Sequence, residues 1–156
     1  MKKLFLTVVS LFILAAANAQ DSTALSKGIM QALQSGDIED LKKLVASPEV
    51  YKALYAEAKT LTDEQIKEKT SGNEKLKSDF ESLLGKAKEK KIDLKQLHYD
   101  SLHTENPWGS DEAPWAMSIY MSINNKTVEL AVSALRYNGN WYFMEFLTTT
   151  NVFKEF

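Results

Sequence analysis

No cysteine occurs among the 156 residues. That excludes disulfides, thiol catalysis, thiolate-bound zinc and a lipid anchor, which needs a Cys at the processed N-terminus. Histidine is nearly absent too. His98 and His103 are the only two, and in a regular strand residues five apart face opposite sides, so a shared metal is not expected. No His-Glu-x-x-His spacing exists for zinc, and the acids of the 105–112 segment do not follow a calcium-loop pattern. Beyond the N-terminal segment there is no second apolar run near the roughly 20 residues that cross a bilayer. Basic excess is also missing: Lys and Arg number 19 against 21 Asp and Glu. Without a cationic footprint, and without basic side chains interleaved among the aromatics, nucleic acid is not an expected partner. Neither a cofactor nor a metal is expected from these patterns.

What is present begins with a leader. Met1-Lys2-Lys3 is basic, Leu4 to Leu14 is almost wholly apolar, and Ala15-Ala16-Ala17-Asn18-Ala19 follows. Small residues at Ala17 and Ala19 match the signal-peptidase pattern, so residues 1–19 read as a signal peptide cleaved before Gln20. With its alanines the run reaches about fifteen residues, short of a membrane span. The expected product is exported, periplasmic or secreted, with no membrane anchor after cleavage. Losing the two leader lysines leaves 17 basic against 21 acidic side chains, a weakly acidic chain. Residues 20–156 suit one domain with a single core.

That domain divides into a helical part, 22–91, a strand meander, 92–148, and a short tail, 149–156. Leu25, Ile29 and Leu33 recur at helical spacing. Gly36 suits a left-handed helix end and Asp37 the cap of the next helix, which carries Ile38, Leu41, Leu44 and Val45. Ser47-Pro48 predicts a further helix to about Thr60, with Pro48 at its first position. Thr62 and Gln65 form a capping-box pair around the segment of Ile66. Leu76, Phe80, Leu83, Leu84 and Ala87 make one apolar stripe on a helix from Glu74 to about Lys90. The lysines at 86, 88, 90 and 91 read either as a patch for anionic surfaces or as a solvated helix end favoured by the dipole.

After Lys91 the apolar period shortens from 3.6 to 2 residues. A first strand is predicted from about Leu94 to His103. Trp115, Met117, Ile119, Met121 and Ile123 alternate with small or polar residues, as do Val128, Leu130, Val132 and Ala134. Asn124-Asn125 and Asn138-Gly139 suit hairpin turns, because both tolerate positive φ. The run Trp141 to Leu147 is apolar on both faces, which predicts a central strand. The fold class is therefore α+β: amphipathic helices on a curved antiparallel sheet of about four strands.

Helices followed by a meander that ends in Tyr137-Asn138-Gly139-Asn140-Trp141-Tyr142-Phe143 resemble the cystatin-like α+β fold of the NTF2-like superfamily, over roughly residues 22–147. The Asn-Gly-Asn-Trp turn and the Ser35-Gly36-Asp37 helix break carry the likeness. The departure is the lack of an extra strand pair between the early helices. Gln20 after the Ala-Asn-Ala junction also resembles secreted proteins of the Bacteroidetes. The superfamily resemblance implies a ligand pocket on the concave sheet face, and in some members a homodimer or an acid–base enzyme.

Candidate site residues follow from chemistry that looks out of place. Trp108 sits in a Pro- and Gly-rich loop, where it either plugs the core or stays out to bind a ligand beside Glu105, Asp111 and Glu112. Glu145 lies among apolar residues of the last strand. On the face of Trp141 and Phe143 its pKa would rise by desolvation; at a frayed end it would be solvated. Tyr120 and Arg136, read as hairpin neighbours, would share that pocket. His98 and Asp100 share a strand face and form a weak acid–base candidate, or ordinary surface polarity. The expected function is a non-catalytic module of the bacterial envelope that binds a small molecule or a protein through the concave face and the Trp108 loop. Its alternatives are an NTF2-like isomerase, dehydratase or hydrolase, or a dimerising structural protein.

Overall fold

The computed structural model describes residues 21–110 and 112–156; the leader and its cut before Gln20 lie outside them. Helix α1 (Ser22–Ser35) starts where the Asp21 carboxylate accepts the backbone N–H of Ala24 at 2.6 Å. It ends at Gly36, whose φ of 69° is left-handed and costs glycine nothing. Asp37 caps α2 (Ile38–Lys42) by accepting from Glu39 N. Pro48 opens α3 (Pro48–Leu54), although the Ser47 side chain makes no capping bond to it. That helix is shorter than its apolar period predicts: Tyr55 is extended at φ −122° and ψ 121°, and a 3-10 turn over Ala56–Thr60 replaces the last turns. Both halves of the Thr62/Gln65 capping box form at the start of α4 (Asp63–Lys69). Asn73 then caps α5 (Glu74–Glu89).

Four strands follow: β1 (His98–Glu105), β2 (Trp115–Ile123), β3 (Lys126–Tyr137) and β4 (Asn140–Phe146). Residues 94–96, expected to open the first strand, form a 3-10 turn capped by Asp93. The sheet is antiparallel throughout, in the order β1-β2-β3-β4, and open. Asn124 and Asn125, with φ of 51° and 62°, turn one hairpin. Asn138 and Gly139, at 49° and 79°, turn the next. Positive φ at both central residues matches the right-handed twist of the flanking strands.

Helices α1 and α5 cover one side of this sheet. Leu25, Ile29 and Leu33 from α1 and Phe80, Leu83 and Ala87 from α5 form a single buried cluster with Met117, Ile119, Leu130, Val132 and Phe143. Each fully buried Leu, Ile, Met or Phe contributes about 1.5–3 kcal/mol of transfer free energy, before ordering costs. The helix-facing side of the sheet is thus filled core. The pocket expected on that face is replaced by packed side chains from the two long helices.

Strand β4 is the edge of the sheet and not its centre. Its two apolar faces have another cause. The α2–α3 connection runs beside it, Phe143 N–H donates to Leu44 O at 2.9 Å, and Val45 forms a parallel bridge to Phe143. This cover satisfies part of an edge that would otherwise invite pairing with another chain.

Two bulges change which residues share a face. Tyr99 pairs with Met121 and Ser101 with Tyr120, which leaves Asp100 as the extra residue of β1. Phe143 pairs with Ala134 and Glu145 with Ser133, which leaves Met144 as the extra residue of β4. Past each bulge the alternation is inverted.

The segment after β4 is also structural. Val152 and Phe153 are buried in the main cluster. Lys86 Nζ donates to Thr149 O at 2.7 Å, and Lys90 Nζ donates to Phe153 O at 2.9 Å and Phe156 O at 2.7 Å. Two of the four clustered lysines therefore tie down backbone carbonyls of the tail, so the cluster as a whole is neither a free cationic patch nor a wholly solvated helix end.

Candidate ligand-binding groove

Of the residues singled out from sequence, Trp141 and Arg136 come together and the others lie apart. Trp108 stays out of the core, 73% exposed, at the tip of the β1–β2 loop, where Gly109 N–H bonds Asn106 O and Asn106 Nδ2 bonds Ser110 O. Trp141 is buried and meets Trp115 edge-on, with ring centroids 5.0 Å apart. The Arg136 guanidinium lies 5.9 Å from both indole rings, cross-strand from Trp141. These three form one cluster at the end of the sheet.

Tyr120 is elsewhere. It pairs with Glu129 on the sheet side away from α1 and α5, whereas Arg136 lies seven residues along β3 with the opposite alternation. At about 3.3 Å per residue, more than 20 Å of strand separates their levels. The shared pocket expected for Tyr120, Arg136 and Glu145 is not formed.

The bulge at Met144 decides between the two readings of Glu145. The extra residue at Met144 puts Phe146, not Glu145, on the buried side with Trp141 and Phe143. The Glu145 side chain is 51% exposed and lies 3.6 Å from Lys75 Nζ. The β1 bulge corrects the histidines in the same way. His98 opposite Ser122 and His103 opposite Ser118 face the same side of the sheet. Four residue steps still hold them about 13 Å apart, too far to share an ion. Asp100 accepts from Ser122 Oγ at 3.0 Å, and His103 contacts Glu105 at 3.1 Å. His98 and Asp100 are both exposed and do not pair. Among the described residues no three His, Asp or Glu side chains gather to hold a metal.

Two adjoining concavities lie between the short helices and the end of β4. One lobe, about 260 Å³, is mostly apolar, walled by Tyr55, Ala58, Leu61 and Ile66, with Glu57 also lining it. A second, about 200 Å³, is mixed and sets the polar groups of Asn73, Lys75, Asp79 and Glu145 beside Leu76 and Met144. Tyr51, Lys69 and Thr70 line both, so the two lobes form one continuous groove.

Local structure explains the groove. Tyr51 and Tyr55 are one helical turn apart on α3 and stack with centroids 6.1 Å apart. The break after Leu54 and the 3-10 turn swing Ala58 and Leu61 round to face Ile66 of α4. Lys52 Nζ bonds Asp63 Oδ1 at 2.6 Å and ties α3 to the start of α4. Burial, with a smaller contribution from Tyr55, pushes the Tyr51 phenol up to about 12. Tyr55 is raised as well, by burial and then by Glu57. Both rings are therefore neutral at ordinary pH. In the mixed lobe Lys75 donates to Asp79 at 2.6 Å, and that bond raises its pKa. The apolar period of the helix does not mark Tyr51 and Tyr55 as site residues. The signal available was their i, i+4 spacing on an element too short to bury both.

These features define a small α+β domain with a helix layer on an open four-stranded meander and a groove at one sheet edge. No known protein family, curated protein or solved structure matches the chain.

Proposed function

We propose that this protein is an exported, non-catalytic module of the bacterial envelope that binds a small molecule in the groove between α3, α4, α5 and β4. The observation that carries the reading is the joining of a mostly apolar lobe to a mixed lobe across Tyr51, Lys69 and Thr70. A mostly apolar concavity with a few convergent polar groups is the usual form of a ligand site. Export is supported by the Lys-Lys, apolar and Ala-x-Ala succession of the leader. No described helix is long and apolar enough to cross a membrane. Helices followed by a four-stranded meander support a place among cystatin-like, NTF2-like domains.

An enzyme built on His98, Asp100 or Glu145 has less support. All three are exposed, and none sits in the closed apolar cavity that would shift a carboxylate toward general-base work.

The test is a fragment screen by amide chemical-shift mapping on isotope-labelled protein. Hits should perturb Tyr51, Tyr55, Leu61, Ile66 and Lys69 together. Tyr51→Ala should remove them while the folded spectrum persists. Shifts clustered at Trp108 and Trp115 instead would move the site to the other end of the sheet.

A further inference from the structure

We propose that the groove takes a small zwitterion with an apolar body, namely an amino acid with an aromatic or branched side chain, free or within a short peptide. This rests on the binding reading above and adds the class of ligand.

The charges of the groove support it. Lys69 is at the junction of the lobes, and its ammonium makes no ion pair with any described residue. Lys75 is already held at 2.6 Å by Asp79, and Glu145 reaches it only at 3.6 Å. Glu145 is half exposed and loosely held, so it can turn to a new cation at little cost. The groove thus offers one unpaired ammonium, on Lys69, and two carboxylates open to a new cation, Glu57 of the apolar lobe and the loosely held Glu145. A ligand carrying only a carboxylate would gain Lys69 but face Glu57, Asp79 and Glu145. A ligand carrying only an amine would gain Glu145 but face Lys69 and Lys75. A zwitterion meets both signs.

The remaining groups suit the same ligand. The Tyr51 hydroxyl makes no hydrogen bond and keeps its proton, so it can donate to a carboxylate near Lys69. The stacked faces of Tyr51 and Tyr55, with Leu61 and Ile66, would take the side chain. Because the charged contacts are partly solvated, each is worth only a few-fold in affinity, and binding should be modest.

The experiment is a calorimetric and chemical-shift titration of the protein with L-phenylalanine, L-leucine and phenylalanyl-leucine, against 3-phenylpropionate and phenethylamine. The zwitterions should bind about fivefold or more tightly than either singly charged analogue. Their shifts should include Tyr51, Lys69 and Glu145. Lys69→Gln should weaken phenylalanine and spare phenethylamine, and Glu145→Gln should weaken phenylalanine and spare 3-phenylpropionate. Both positions are exposed, so the variants should fold. Equal binding of a singly charged analogue in the groove would overturn the zwitterion and leave the groove reading standing. Silence of all five compounds beside fragment hits in the groove would do the same. Silence of both sets would overturn the groove as well.

Discussion

Lys90, at the end of α5, donates its ammonium to the backbone carbonyl of Phe153, 63 residues later in the chain, at 2.9 Å. The same nitrogen bonds Phe156 O, while Val152 and Phe153 enter the core beneath. The tail is therefore a strap that closes the end of the core between α5 and β3. Glu155 adds a bond from the backbone N–H of Thr127 at 2.7 Å.

The strap predicts a graded loss of stability. Lys90→Met should cost about 1.5–3 kcal/mol, the range for hydrogen bonds to a charged group. Phe153→Ala should cost about 3–5 kcal/mol through lost transfer energy and a cavity. Denaturant unfolding would measure both. Wild-type stability in the Phe153 variant would show that the tail does not seal the core.

The bulge at Met144 predicts that register, and not composition, decides whether β4 can pack. Deleting Met144 removes the extra residue and restores plain alternation. Glu145 then follows Phe143 directly and stays outward, while Phe146 stays on the buried face. The deletion should therefore keep a cooperative melt, whereas exchanging the pair (Glu145→Phe with Phe146→Glu), which keeps the composition but puts the carboxylate on the buried face, should abolish it. Circular dichroism melts of the two variants separate these outcomes.

Tyr51 predicts a change on the alkaline side. Its folded pKa is raised to about 12 from an ordinary value near 10, chiefly by burial. A raised folded pKa means that the native state holds this proton more tightly than the unfolded chain does. The stabilisation is complete below pH 10 and is lost as pH rises toward 12. Tyr51→Phe should flatten that part of the stability curve. On the acid side, the Lys52 hydrogen bond holds Asp63 below the usual carboxylate range. Its contribution is present above the unfolded pKa and fades as pH falls through the folded one. Asp63→Asn should remove that acid sensitivity. Unfolding midpoints across pH, compared variant by variant, check both signs.

Trp108 predicts a spectroscopic separation. It is 73% exposed, while Trp141 is buried and Trp115 half-buried. Trp108→Phe should remove the red-shifted, easily quenched part of the fluorescence and change stability by no more than about 0.5 kcal/mol. A larger loss of stability would mean that the loop packs on the core in solution.

Much of the fold could be read locally, because caps and turns depend on neighbours in sequence. Gly36, the Asp37 cap, the Thr62/Gln65 box and the two Asn turns stand where their chemistry put them. The stripe from Leu76 to Ala87 faces the core as its period requires. The site was far less legible. Glu145 could be read as buried among the apolar residues from Trp141 to Leu147 or as solvated at a frayed end, and one extra residue decided that it faces out. His98 and His103 looked opposed until Asp100 bulged. The groove escaped because Tyr51, Leu61, Ile66 and Lys75 belong to four different segments, and no period links them.

The alternation of apolar residues by itself determined that helices would come first and a meander after, because burying one face of each element is a local demand with its own period. Only the tertiary structure decided that the helix-facing side of the sheet would be solid, that β4 would lie at an edge covered by Leu44 and Val45, and that the tail would seal the core. Those outcomes depend on contacts between residues far apart in the chain, where a single bulged residue reverses a face and a packed helix leaves no room for a pocket.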